Sequence, residues 1–94
     1  MTPATVLTSA TVREALKREL CTERGEQTGG FIVAMEDGHV VVAIEQPMRR
    51  RALFTGCGEM DPAEMLWQLM ECEAVLLGAG FTVERDGDEL RVTA

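Results

Sequence analysis

Phe31-Ile32-Val33-Ala34-Met35-Glu36-Asp37-Gly38-His39-Val40-Val41-Val42-Ala43-Ile44-Glu45-Gln46 is the stretch from which the fold follows. Two runs rich in β-branched residues, 31–36 and 39–46, flank Asp37-Gly38, a dipeptide that tolerates the positive φ angles of a tight hairpin turn. The unbroken apolar segment 40–44 predicts that the second strand is central and covered on both faces for part of its length. Pro47 ends it. Downstream, residues 50–55 (Arg-Arg-Ala-Leu-Phe-Thr) predict a third strand, and Gly56-Cys57-Gly58 turns the chain toward a helix.

Asp61-Pro62 places a capping carboxylate before a proline at the first helical position, where the missing N–H costs nothing. The helix should run over 62–77 until Gly78 and Gly80 stop it. Residues 81–85 and 89–93 predict a closing hairpin around Asp86-Gly87. Upstream, Val12, Ala15, Leu16 and Leu20 recur at helical spacing over residues 9 to about 24. Thr11 and Glu14 have capping-box spacing, with Ser9 a competing cap. Gly25 and Gly29-Gly30 break this helix, and residues 1–8 read as a flexible lead-in. The order α-β-β-β-α-β-β makes one α+β domain over 9–94, with one antiparallel sheet and two helices.

Sixteen acidic and nine basic side chains among 94 residues leave a net charge of −7. That balance repels nucleic acid phosphates and anionic membranes, so neither is an expected partner. No apolar run is long enough to span a bilayer, and residues 1–9 lack a basic start with an apolar core, which predicts a cytoplasmic protein. Cys21, Cys57 and Cys72 are odd in number and spaced for neither a disulfide framework nor a C-x-x-C metal site, which favours free thiols. A chain this short buries a limited core, and self-association would stabilise it.

The second helix carries the argument for self-association. At about 100° per residue, apolar side chains occupy well over half its circumference, and only Glu64, Gln68 and Glu71 mark a polar strip. One sheet shelters a narrower stripe than that. A second copy is the expected cover, because an isologous interface needs one such patch. Met65, Leu66, Leu69, Met70, Glu73, Leu76 and Leu77 are the expected interface residues. Glu73 lies within this arc and needs a rim position or a partner, for which Arg49, Arg50 and Arg51 are candidates.

Catalytic chemistry is sparse. Cys57 and the sole histidine, His39, with Asp37 as orienting acid, are the one thiol–imidazole combination available. One histidine without clustered cysteines does not make a metal site. Gly78-Ala79-Gly80 follows a helix instead of opening one, so it is no phosphate loop. No cofactor is expected. Six methionines give adaptable apolar surface, and exposed sheet edges can accept an added strand.

Residues 53–62 (Leu-Phe-Thr-Gly-Cys-Gly-Glu-Met-Asp-Pro), Leu69-Met70-Glu71-Cys72-Glu73, Gly80-Phe81-Thr82-Val83 and Glu89-Leu90-Arg91-Val92 together resemble the type III secretion chaperones that serve individual effectors. The likeness is to a short variant without the family's final helix. It implies a homodimer built on the second helix and the strand after it, holding the extended segment of a secreted effector. Under this reading Val12, Leu16, Leu20, Phe31, Val33, Val40, Val42 and Leu53 are the expected partner-binding residues, and no catalysis is required. Two alternatives stay open: a small acidic adaptor similar to the YbjN group, binding a folded protein, and a cysteine enzyme using Cys57 with His39.

Overall fold

The computed structural model describes residues 7–19, 21–25, 28–46 and 60–93. Its elements are α1 (Ser9–Arg18), β1 (Gly30–Glu36), β2 (His39–Glu45), α2 (Pro62–Gly78), β3 (Thr82–Asp86) and β4 (Glu89–Thr93). The strands form a four-stranded antiparallel sheet in the order β1-β2-β4-β3, with no described strand beyond β1 or β3, and two helices, so the α+β expectation holds. The strand expected at 50–55, the turn at 56–58 and the lead-in up to residue 6 lie outside the described residues.

The first hairpin closes where the sequence indicates. Asp37 (φ 45°) and Gly38 (φ 83°) both take positive φ, which twists the turn to match the flanking strands. Glu36 then faces His39, and the register runs from there to Gly30 facing Glu45. The second hairpin is displaced by one residue from expectation. Asp86 faces Glu89, so Gly87 and Asp88 form the loop, with Gly87 supplying the positive φ (62°) at its first position.

α1 is shorter than its apolar pattern suggests, and its cap lies elsewhere. Thr8 is the N-cap, its Oγ1 accepting from the Thr11 N–H at 3.1 Å while the Thr11 hydroxyl accepts from the Thr8 N–H. Thr11 therefore answers the cap from inside the helix instead of being one. Beyond Arg18 the backbone leaves the helix: the Cys21 N–H donates to the Leu16 carbonyl at 3.0 Å, and Glu23 forms an isolated parallel bridge with Phe31. Arg13 clamps this segment from α1, its Nη2 donating to Glu23 Oε1 at 2.9 Å. The Arg13 guanidinium holds the Glu23 carboxyl below the usual range.

α2 matches its expected limits to within one residue. Asp61 caps it, its Oδ1 accepting from the Ala63 N–H at 2.9 Å, and Pro62 follows. Gly78 remains helical and Gly80 is the stop: at φ 97° it lets the Phe81 N–H reach the Leu76 carbonyl and its own N–H reach Leu77. Asp61→Ala is expected to cost about 1 kcal/mol by removing the cap, read as a lower urea midpoint with an unchanged slope.

The core is wholly apolar among the described residues. Val12, Ala15 and Leu16 of α1 and Leu69, Cys72 and Leu76 of α2 meet Phe31, Val40, Val42, Ile44, Leu90 and Val92 of the sheet. These strand residues share one face, since Phe31 faces Ile44, Val40 faces Val92 and Val42 faces Leu90. The helices thus cover a single face. Val41 and Ala43 lie on the opposite one, where Val41 is buried and Ala43 half-buried, so β2 is a central strand sheltered on both sides for part of its length, as expected.

Candidate protein-binding surfaces

α2 divides its apolar residues between two directions. Leu69, Cys72 and Leu76 enter the core, with Met65 and Val75 half-buried beside them. Leu66, Trp67, Met70 and Leu77 point outward and are 46%, 62%, 49% and 53% exposed. With Ala74 they fall within an arc of about 100° on the helix circumference, forming one continuous stripe. Glu73 is half-buried between the two arcs, and no described cation pairs with it. Arg49, Arg50 and Arg51 lie outside the described residues.

The seven residues expected at a dimer interface therefore separate. Leu66, Met70 and Leu77 are available, Met65 and Glu73 are at the margin, and Leu69 and Leu76 are committed to their own subunit's core. Trp67 belongs with the available group although it was not among the seven. Its position three residues before Met70 and seven before Ala74 is the signal that places it on the same face.

The residues expected to hold a partner segment behave differently. Val12, Leu16, Phe31, Val40 and Val42 have no exposed surface, because α1 has apolar side chains on one narrow side only and spends them on the sheet. They are core residues and do not form a docking surface. Val33 is partly buried against the same core. Leu20 and Leu53 lie outside the described residues.

Two other surfaces of the sheet have no described element packed against them. On β1 the Phe31 N–H donates to the Thr22 carbonyl at 2.9 Å, and its carbonyl accepts from the Arg24 N–H at 3.0 Å. Those groups point to the outer edge, and strand alternation turns the N–H and C=O of Val33 and Met35 the same way. Among the described residues, pairing on this edge ends at Phe31. Met35 is also half-exposed at 50%. The other edge, β3, is only five residues long and carries Glu84, Arg85 and Asp86, charges that discourage strand addition. The face opposite the helices bears Ile32 beside Ala43 and Ala34 beside Val41, of which Ala34 is exposed and Val41 buried.

A cleft of about 460 Å³ joins the start of α2 to the ends of β2 and β4. Ala43, Ile44, Met65, Leu66 and Leu69 give it apolar walls, and Glu45, Asp88 and Glu89 line it with carboxylates. His39 sits on β2 opposite Glu36, next to the turn that holds Asp37, while Cys57 lies outside the described residues. Among the described residues no three His, Cys, Asp or Glu side chains converge to hold a metal ion, and no helix is long and apolar enough to cross a membrane.

Comparisons of the chain with protein-family models, with curated proteins and with solved structures give no match.

Proposed function

We propose that this chain is a non-enzymatic protein-binding module of the cytoplasm that pairs with a second copy through the outer stripe of α2. The observation that carries the reading is the exposure of Leu66, Trp67, Met70 and Leu77 on one helical face. Monomers seldom expose a contiguous apolar patch beyond a few hundred Å² without using it. Leu66 and Met70, with Ala63 one turn before and Leu77 two turns after, follow the three-four spacing of packed helices, so two such stripes interlock across a two-fold axis.

The dimer would carry partner segments on its flanks. The free edge of β1 at Val33 and Met35 suits an added strand, and the acidic lining of the cleft suits a segment with basic residues between apolar ones. Holding a secreted effector in an extended, export-competent form is the role that the type III chaperone resemblance supplies. The adaptor reading is favoured by a different observation: with Val12, Leu16, Phe31, Val40 and Val42 buried, the docking area nominated for an extended segment is largely consumed by the core. A folded partner seated on Ile32 and Ala34 of β1 needs no groove.

Leu66→Asp combined with Met70→Asp is expected to convert a species of twice 10.3 kDa into one of 10.3 kDa in light scattering, with the far-ultraviolet circular dichroism unchanged. Each buried, unpaired carboxylate costs about 3 kcal/mol at an interface, and one alone weakens association by about a hundredfold. A monomer in the unmodified protein rejects the dimer. Hydrogen exchange then separates the partner modes: protection of β1 backbone amides on binding indicates an added segment, and protection limited to the sheet face opposite the helices indicates a folded partner.

A further inference from the structure

Residues 21–25, between α1 and β1, form a strap across part of the edge that β1 offers to an added strand. Phe31, Val33 and Met35 turn their N–H and C=O groups toward that edge, and the strap takes those of Phe31. The Phe31 N–H donates to the Thr22 carbonyl at 2.9 Å, and the Arg24 N–H donates to the Phe31 carbonyl at 3.0 Å. Among the described residues the pairing stops there, Glu23 and Phe31 forming an isolated bridge. The approach is close: a Cβ on Gly30 would stand 2.9 Å from the Thr22 carbonyl carbon, so the strap fits only beside glycine.

Side chains hold the strap from two sides. On the α1 side, the Arg13 Nη2 donates to Glu23 Oε1 at 2.9 Å, its Nε donates to Glu23 Oε2, and Lys17 Nζ lies 3.9 Å from Oε1. On the other side, Arg24 Nε donates to the Gln46 carbonyl at 2.7 Å. Cys21, 8% exposed, roots the strap in the core. The Arg13 and Glu23 side chains are 52% and 33% exposed, so water and competing ions reach the pair.

We propose that the strap is an autoinhibitory contact: held by Arg13 and Glu23, it occupies the Phe31 end of the β1 edge, and its release lets an extended apolar segment pair along Phe31, Val33 and Met35. The inference rests on the reading of β1 as an acceptor for an added strand. Strap and incoming segment compete for the same N–H and C=O of Phe31, so binding weakens in proportion to the fraction of molecules in which the strap is down. A solvent-exposed ion pair shifts such a balance a few-fold, and placing like charges at the same two positions shifts it further. The device therefore grades the affinity of the edge instead of switching it off.

The test compares the full-length protein with Arg13→Glu, Glu23→Arg and the variant carrying both changes. Each is followed by hydrogen exchange and by the anisotropy of a fluorescein-labelled peptide of residues 30–36, itself a strand of this sheet. Each single change is expected to speed exchange at the Phe31 and Arg24 amides and to tighten peptide binding, both by about three- to tenfold, and the double change to return both to within about twofold of the unmodified protein. Gly30→Ala, which lifts the strap with both charges in place, should bind the peptide at least as tightly as the single variants, and it serves in their place should they fail to fold. Unchanged exchange in the single variants overturns the ionic latch. Faster exchange without tighter binding overturns the autoinhibition and leaves strand addition standing. Failure of every variant to bind the peptide overturns strand addition and this inference together. Equal binding of a peptide with proline in place of Val33 has the same meaning, because that ring has no N–H to donate.

Discussion

Leu76→Ala is expected to lower stability by about 3 to 5 kcal/mol, while Leu77→Ala, at the next position, changes it by less than about 1 kcal/mol in the monomer. Leu76 has no exposed surface and its carbonyl also receives the Phe81 N–H that closes α2, so truncation leaves a cavity beneath the helix end. Leu77 is 53% exposed and leaves none. A domain of this length has roughly 5 to 14 kcal/mol of stability in total, so the first change removes a large part of it. Urea unfolding of the two variants at a concentration where the chain is monomeric checks the pair. Equal midpoints would mean that α2 is rotated from the orientation described above.

Gly30→Ala is the second large effect, and its cause is space. The φ of Gly30 is not in the left-handed region, but an added Cβ would collide with the Thr22 carbonyl oxygen and lie 2.9 Å from its carbon and 3.0 Å from the carbonyl carbon of Glu23. Those are backbone atoms and cannot swing aside. The segment that pairs with Phe31 must lift, giving up two backbone hydrogen bonds worth about 1 kcal/mol each, with a similar cost for the residual crowding. A loss of about 3 kcal/mol is expected, with faster hydrogen exchange at the Phe31 and Arg24 amides. Retained protection there at wild-type stability would refute the close approach.

The elements with local punctuation were legible in the sequence. Asp37-Gly38 specified a turn because two successive residues must take positive φ, and Asp61-Pro62 specified a helix start because cap and ring fit only that position. The features that depend on distant partners were not. Nothing near Glu23 announces that it will lie beside Phe31, so α1 was read several residues too long. For the binding surfaces, the helical pattern of α2 identified an excess of apolar area but could not say which of Leu66, Leu69, Leu76 and Leu77 the sheet would claim. The assignment of α1 and β2 side chains to a partner failed for the same reason: a domain this small needs those residues for itself.

The insertion of β4 between β2 and β3 has a bearing on how the chain is born. Synthesis completes the β1–β2 hairpin at Glu45, yet the inner neighbour of β2 begins only at Glu89. Until residues 89–93 emerge, β2 offers an unsatisfied, strongly apolar border to any extended chain nearby. A nascent polypeptide stalled before that point should be a far better client for cellular holdases than the finished molecule.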